Sequence, residues 1–459
     1  MILFAETALL PEGWARDVRI RIDAGRIVEV ATGVASGVGP VGSVQACLLP
    51  APVNLHSHTF QRAMAGLTEG RTAGQDSFWT WRALMYRFLD QLSPEDVEAI
   101  AAQAMVEMAE AGFAAVCEFH YLHHPVGGGT YADPAEMSCR VAAAAEAVGL
   151  GLTLLPVIYE QGGVDGRALV GGQMRFGSSP PVYGAMLDGA GRALAALRRG
   201  GMADAGLGVA PHSLRAVSRT TLAGVAGLLP GGPVHLHIAE QTAEVDEVLA
   251  AWGARPVDWA LANLPLDRRW CLIHATQMSA AETASLARTG AVAGLCPITE
   301  ANLGDGVFDA PGWMAAGGAF GVGSDSNVRI SLAEELRLLE YSQRLARKAR
   351  AVLADADRST GRMLWDGAAR GGAQAAGRGQ GAITPGAWAD LLAPNMADLR
   401  LEGLAGDQLL DALIFAGRDG LVQDLWSAGR HIVRGGQHVA RDAVAARYQA
   451  VQRRLRAAA

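Results

Sequence analysis

Leu48-Leu49-Pro50-Ala51-Pro52-Val53-Asn54-Leu55-His56-Ser57-His58 is an apolar run that ends in two histidines. Residues two apart on a strand project from one face, so both imidazoles can reach a single ion at the strand's carboxyl end. An isolated pair of this kind is more often satisfied by main-chain carbonyls, and the decision falls to what recurs downstream. Three later runs also close on metal- or proton-binding side chains: Val234-His235-Leu236-His237-Ile238-Ala239-Glu240, Leu272-Ile273-His274 and Gly323-Ser324-Asp325.

Outward from that first run, residues 51 to 375 alternate short apolar stretches with long alanine-rich amphipathic ones, the pattern of repeated β-α units. Eight strands are predicted, ending near His56, His120, Tyr159, His212, His237, His274, Thr299 and Asp325. One helix start is explicit, with Ser93 as N-cap and Pro94 at the first helical position. Eight such units imply an α/β fold, a (β/α)8 TIM-like barrel whose catalytic face lies at the carboxyl ends of the strands. Residues 16 to 30 alternate around Ala24-Gly25 as a hairpin, 387 to 393 read as a strand, and 424 to 439 as a second hairpin. The expectation is a small β-sandwich built from both termini (1–50 and 376–440), a barrel over 51–375 and a C-terminal helix over 441–459.

Composition narrows the function classes. Half of the 459 residues are hydrophobic, yet no apolar stretch is long enough to span a membrane, and Met1 to Glu6 lacks the basic start of a signal peptide, so a soluble cytoplasmic protein is expected. The five cysteines are scattered with no Cys-x-x-Cys, which suits small buried hydrophobes in a reducing compartment. A net charge of -7 argues against a nucleic-acid partner, and the basic run Arg344 to Arg350 reads as a solvated helix face. Met105, Met108 and Phe113 are assigned to core packing, and Gly127-Gly128-Gly129-Thr130, lacking the lysine of a phosphate-binding loop, to a loop over the site.

His56, His58, His237, His274 and Asp325 share one rim on this reading, a borderline donor set that suits a catalytic zinc with a position left for water. Strand geometry leaves His235 and His237 as alternatives; His237 is chosen because it lies nearer the carboxyl end and three residues before Glu240, which leaves His235 deeper, to pack or to support a ligand from behind. Glu240, three residues on, is placed to carry a proton to or from that water, or else to charge the next helix turn.

Through Pro52 to His58, His237-Ile238-Ala239-Glu240, Leu272-Ile273-His274-Ala275 and Gly323-Ser324-Asp325-Ser326, the chain resembles the amidohydrolase superfamily over nearly its whole length. Through Asn54 to Arg62, Phe78-Trp79-Thr80-Trp81-Arg82, His120-Tyr121-Leu122-His123 and Ala210-Pro211-His212-Ser213-Leu214-Arg215, it is similar to the formimidoylglutamate deiminase family of histidine breakdown. That resemblance implies hydrolysis of N-formimidoyl-L-glutamate to N-formyl-L-glutamate and ammonia. It also implies one zinc per subunit, with Fe2+ or Mn2+ as alternatives, held by His56, His58, His237 and Asp325. Glu240 would shuttle the proton, and His274 with Asp325 would orient the water and stabilise charge. The substrate is a small dicarboxylate, for which the resemblance supplies Arg82 and Arg215, assisted by Gln61, Tyr121 and His212, and it implies a homodimer. Relatives with two metals commonly bridge them through a carboxylated lysine on a barrel strand; Lys348, the only lysine, lies well past the eighth strand, which favours a mononuclear site. Two other readings stand beside this one: a deaminase of an aromatic heterocycle such as guanine or a triazine, with a stacking pocket in place of arginines, and a metal-free scaffold barrel.

Overall fold

The computed structural model describes residues 1–34, 44–70 and 78–457, and for 78–83 the backbone alone. Eight parallel segments follow in order: Val53–Ser57, Ala115–His120, Gly151–Ile158, the pair Gly206–Leu207 and Ala210–Pro211, Val234–Ile238, Trp270–His274, Val292–Leu295 and Ala319–Val322. Their ladders form two arcs, the first four segments and the last four. Single bridges close the circle, Val209 to Val234 and Ser213 to His237 on one seam and Ser57 to Asp325 on the other. The result is the expected α/β barrel.

Helices are set by local chemistry. Pro94–Ala111 starts with a reciprocal Ser93/Asp96 capping box and stops at Gly112, whose φ of 106° suits only glycine. Met105, Met108 and Phe113 are fully buried in the core that this helix covers, as expected. Leu55, Cys271 and Ile273 join Cys296 and Ala375 in a separate buried cluster. Because the first and sixth strands are not neighbours, their side chains meet across the barrel interior, which is therefore filled below the rim.

Two expectations need correction. The seventh strand ends at Leu295, not near Thr299, because Pro297 takes the first position of the helix Pro297–Leu303 and puts Thr299 in its first turn. The strand expected over 387–393 is shorter and shifted, to Leu391–Pro394.

Both ends of the chain share one eight-stranded sheet. Val44–Pro50 pairs parallel with Ile2–Leu10 on one side and antiparallel with Leu391–Pro394 on the other. The hairpin Gly13–Asp23 and Arg26–Ala31 turns at Ala24-Gly25 and extends one edge, while Val422–Ser427, Arg430–Arg434 and Gln437–His438 extend the other. The sheet curls until Arg26 bridges Trp388, over a core that includes Leu3, Ile20, Leu391 and Trp426. It is latched to the barrel by Asp204, which accepts from Arg430 at 2.7 and 2.8 Å and from Arg378 at 3.0 Å. The helix Arg441–Ala457 lies across Pro94–Ala111 through Arg447–Glu98 (2.6 Å) and Arg454–Asp96 pairs. No described helix is long and apolar enough to cross a membrane.

Candidate metal centre and catalytic pocket

His56 lies on the first barrel strand and His58 one residue beyond its end, with a register shift between Asn54 and Ser57. Asp325 sits three residues past the eighth strand, in a turn where its own φ is +43°. Main-chain bonds hold these two segments together: His58 N donates to Asp325 O and Asp325 N to His56 O, both at 2.9 Å. His237 arrives from the fifth strand. Donor atoms of His56, His58, His237 and Asp325 consequently lie within 4.8 Å of one another, all buried.

These four groups fit a divalent cation. Carbonyl oxygens only accept, so His58 Nδ1 donates to Phe119 O (2.8 Å) and His237 Nδ1 to His212 O (3.1 Å), which leaves both Nε2 lone pairs facing inward. His237 Nε2 is 2.9 Å from His56 Nε2, and Asp325 Oδ1 is 3.2 and 3.5 Å from the Nε2 atoms of His58 and His56. Around a zinc-type ion with bonds of roughly 2.0–2.1 Å, adjacent tetrahedral donors stand roughly 3.3 Å apart, close to these separations. Burial, against the pull of Asp325, pushes His56 down to about 3, and burial with the adjacent rings holds His237 well below its usual range. Burial raises the Asp325 carboxyl, but its contacts with the His56 and His58 rings outweigh it and hold the group well below the usual carboxylate range. The Nε2 lone pairs of His58 and His237 and the Asp325 carboxylate thus converge on the point that His56 Nε2 also faces.

Beside this cluster, Glu240 stands between two partners: Oε1 is 3.8 Å from His274 Nε2, and Oε2 is 3.9 Å from Arg215 Nη2. His274 Nε2 is also 3.8 Å from Asp325 Oδ2, and its Nδ1 is 3.3 Å from Glu300 Oε1. Burial alone would lower the His274 pKa, but Glu240, Glu300 and Asp325 outweigh it and hold the ring at about 10. A positive φ of 66° at His274 ends its strand and redirects the ring.

One cavity, about 570 Å³ including its open mouth, gathers His58, His237, Asp325, Glu240 and His274 with Gln61, Tyr121, His212 and Arg215. Gln61 Nε2 donates to the Tyr121 hydroxyl at 2.6 Å, whereas its buried Oε1 has no hydrogen-bond partner among the described residues. The side chain of Arg82 lies outside the described residues, although its helix Phe78–Leu89 contributes Met85 and Tyr86 to the wall. His235, the rejected alternative, donates Nε2 to Ala375 O at 2.8 Å and does not reach the cavity. Lys348 caps the helix Leu332–Arg347 and is exposed, away from the rim. Sequence reasoning missed Tyr159, Phe176 and Glu300. Only Tyr159 had a signal, its place at the end of the third strand; Phe176 lies in a loop without periodicity, and Glu300 reads as an ordinary acid near a helix start. A roomier cavity, about 1000 Å³, opens between Leu332, Trp365, Leu392 and Val422 but contains none of the ligand residues.

Fold and site together define a barrel of the kind that activates water on a bound metal ion. The chain belongs to the amidohydrolase family, whose profile, described as "Amidohydrolase family", matches residues 47–432. A second profile, "Formimidoylglutamate deiminase HutF, N-terminal domain", matches residues 1–40. The formimidoylglutamate deiminase of Pseudomonas aeruginosa is 49% identical over 443 residues, covering 95% of each chain. A crystal structure of an amidohydrolase from Brucella melitensis superposes with a TM-score of 0.94 at 48% identity over 99% of both chains. An adenosine deaminase from Xanthomonas campestris with bound zinc shares the fold, with a TM-score of 0.80 at 22% identity over 99% of this chain and 98% of that one.

Proposed function

We propose that this protein is a metal-dependent deiminase that hydrolyses N-formimidoyl-L-glutamate to N-formyl-L-glutamate and ammonia in histidine degradation. His56, His58, His237 and Asp325 hold a single divalent cation, zinc in this reading with Fe2+ or Mn2+ as substitutes. When bound, the ion supplies Lewis acidity that makes water a nucleophile near neutral pH.

The arrangement that carries the proposal is the Glu240 carboxylate, set between His274 and Arg215 beside the ligand cluster. Glu240 takes a proton from the attacking water as the C–O bond forms at the formimidoyl carbon, and gives it to the imino nitrogen. His274 Nε2 donates to the oxygen on the tetrahedral carbon and steadies the charge gathered there. A second proton passes from that oxygen to nitrogen through Glu240, the C–N bond breaks, and ammonia leaves as the formyl C=O closes.

Arg215 receives a substrate carboxylate, for which a planar guanidinium offers two parallel hydrogen bonds. Its cavity position beside Glu240 supports that role, and Gln61 Oε1 provides an acceptor for a substrate N–H. By the family resemblance, Arg82 takes the second carboxylate and Tyr121 and His212 complete the contacts. The proposal includes a cytoplasmic homodimer; the described cysteines are all free, which suits a reducing compartment.

Ammonia release by the zinc-loaded protein, measured with formimidoylglutamate and with guanine, tests the assignment. Release from the linear amidine alone is expected. Activity confined to guanine would overturn the substrate, and a purified protein that neither contains nor accepts zinc, iron or manganese would overturn the chemistry.

A further inference from the structure

Three of the four candidate ligands, His56, His58 and Asp325, lie on the seam between the first and eighth strands, where the ladder is reduced to the single Ser57–Asp325 bridge. A fully buried polar chain reinforces that seam. Asn54 Nδ2 donates to Ser324 Oγ (2.6 Å), Ser324 Oγ donates to Asn327 Oδ1 (2.6 Å), and Asn327 Nδ2 donates to both Ser57 Oγ (3.1 Å) and Asp325 O (3.0 Å). In return, Ser324 N donates to Asn54 Oδ1 at 3.0 Å.

We propose that Asn327 is the positioning residue of the metal centre: its side-chain amide locks the turn bearing Asp325 against the strand bearing His56 and His58. This inference rests on the reading of the four residues as metal ligands. The amide orientation is unique. Turned over, it would set its oxygen against the Asp325 carbonyl, acceptor against acceptor, and leave Ser57 Oγ without its donor. Both Asp325 and Asn327 have positive φ, 43° and 54°, so the turn is not a conformation that the backbone keeps unaided. The Asn327 main chain is pinned as well, since its carbonyl accepts from Arg62 (2.9 Å), which is paired with Glu107 (2.8 Å). Asn327 itself neither joins the donor cluster nor lines the cavity, so it acts through Asp325.

Zinc transfer from the loaded protein to a chromophoric chelator distinguishes this role from mere backbone accommodation. Asn327→Gly keeps the left-handed conformation at no steric cost but deletes the amide, and Asn327→Asp keeps the shape but replaces the donor. Both are expected to weaken zinc binding by about 10–100-fold, while KM at saturating zinc stays within about twofold of the parent. An Asn327→Gly protein that holds zinc like the parent overturns the proposal, because backbone conformation would then suffice. If neither variant folds, Ser324→Ala, which removes the hydroxyl that holds the amide, should also loosen zinc, and unchanged affinity there overturns the proposal equally. A parent protein that binds no zinc removes the metal-site reading and this inference with it, whereas a tight-binding parent with equally tight variants removes this inference alone.

Discussion

Glu300 Oε1 lies 3.3 Å from His274 Nδ1, so the far side of the ring, Nε2, is turned toward Glu240 and Asp325. The same oxygen accepts the Cys296 main-chain N–H at 2.9 Å, so one carboxylate both caps the helix Pro297–Leu303 and orients the imidazole. Glu300→Gln keeps a cap-competent oxygen but loses the charge. Its kcat should fall by about 10–100-fold with KM within about twofold. Steady-state kinetics of ammonia release check this, and equal kcat values would leave Glu300 with the cap alone.

Glu240 is outside the donor cluster, which separates metal binding from proton transfer. Glu240→Gln should therefore retain full metal content while losing kcat by about 10²–10⁴-fold. Elemental analysis beside the ammonia assay makes the comparison; loss of the metal with the activity would contradict the division of roles.

Arg215 is buried against Glu240, and burial lowers its affinity for a proton less than Glu244 and Glu240 raise it, so the guanidinium stays charged. Charge-assisted hydrogen bonds contribute about 1.5–3 kcal/mol each. Arg215→Gln is accordingly expected to raise KM by about 10–100-fold, with a smaller change in kcat. Saturation curves decide, and an unchanged KM would remove Arg215 from carboxylate binding.

Acid stability should report the Asp204 latch. Burial pushes this carboxyl up, but Arg378 and Arg430 outweigh it and hold it at about 2, below the unfolded value of about 3.9. A depressed folded pKa stabilises above the unfolded pKa and is lost as pH falls through the folded one. On the order of 2 kcal/mol should be present above pH 4 and decline toward pH 2. Asp204→Asn should be less stable at neutral pH and show a flatter Tm profile across that window. Thermal unfolding as a function of pH provides the measurement.

Much of this architecture was legible because it follows from periodicity. Eight apolar runs predicted eight barrel strands, and alternation around Ala24-Gly25 predicted its hairpin. The convergence of His56, His58, His237 and Asp325 was legible in residue type and placement, although the local geometry differs: the first strand shifts register before Ser57, and Asp325 stands past its strand at positive φ. Such departures follow from tertiary contacts across the seam, which no local pattern encodes. Glu300 and Phe176 escaped for the same reason, one resembling any acid near a helix start and the other lying on an aperiodic loop. The apolar run Ala291 to Leu295 was located correctly, but its end was set near Thr299, beyond Pro297, where a helix begins.

Val44–Pro50 is flanked by strands from opposite extremes of the chain. On a ribosome, its edge toward Leu391–Pro394 therefore stays bare until the barrel has been translated in full. Such long-range pairing makes a late, slow closing event of sheet completion, and it leaves the nascent polypeptide open to edge-to-edge association in the interval.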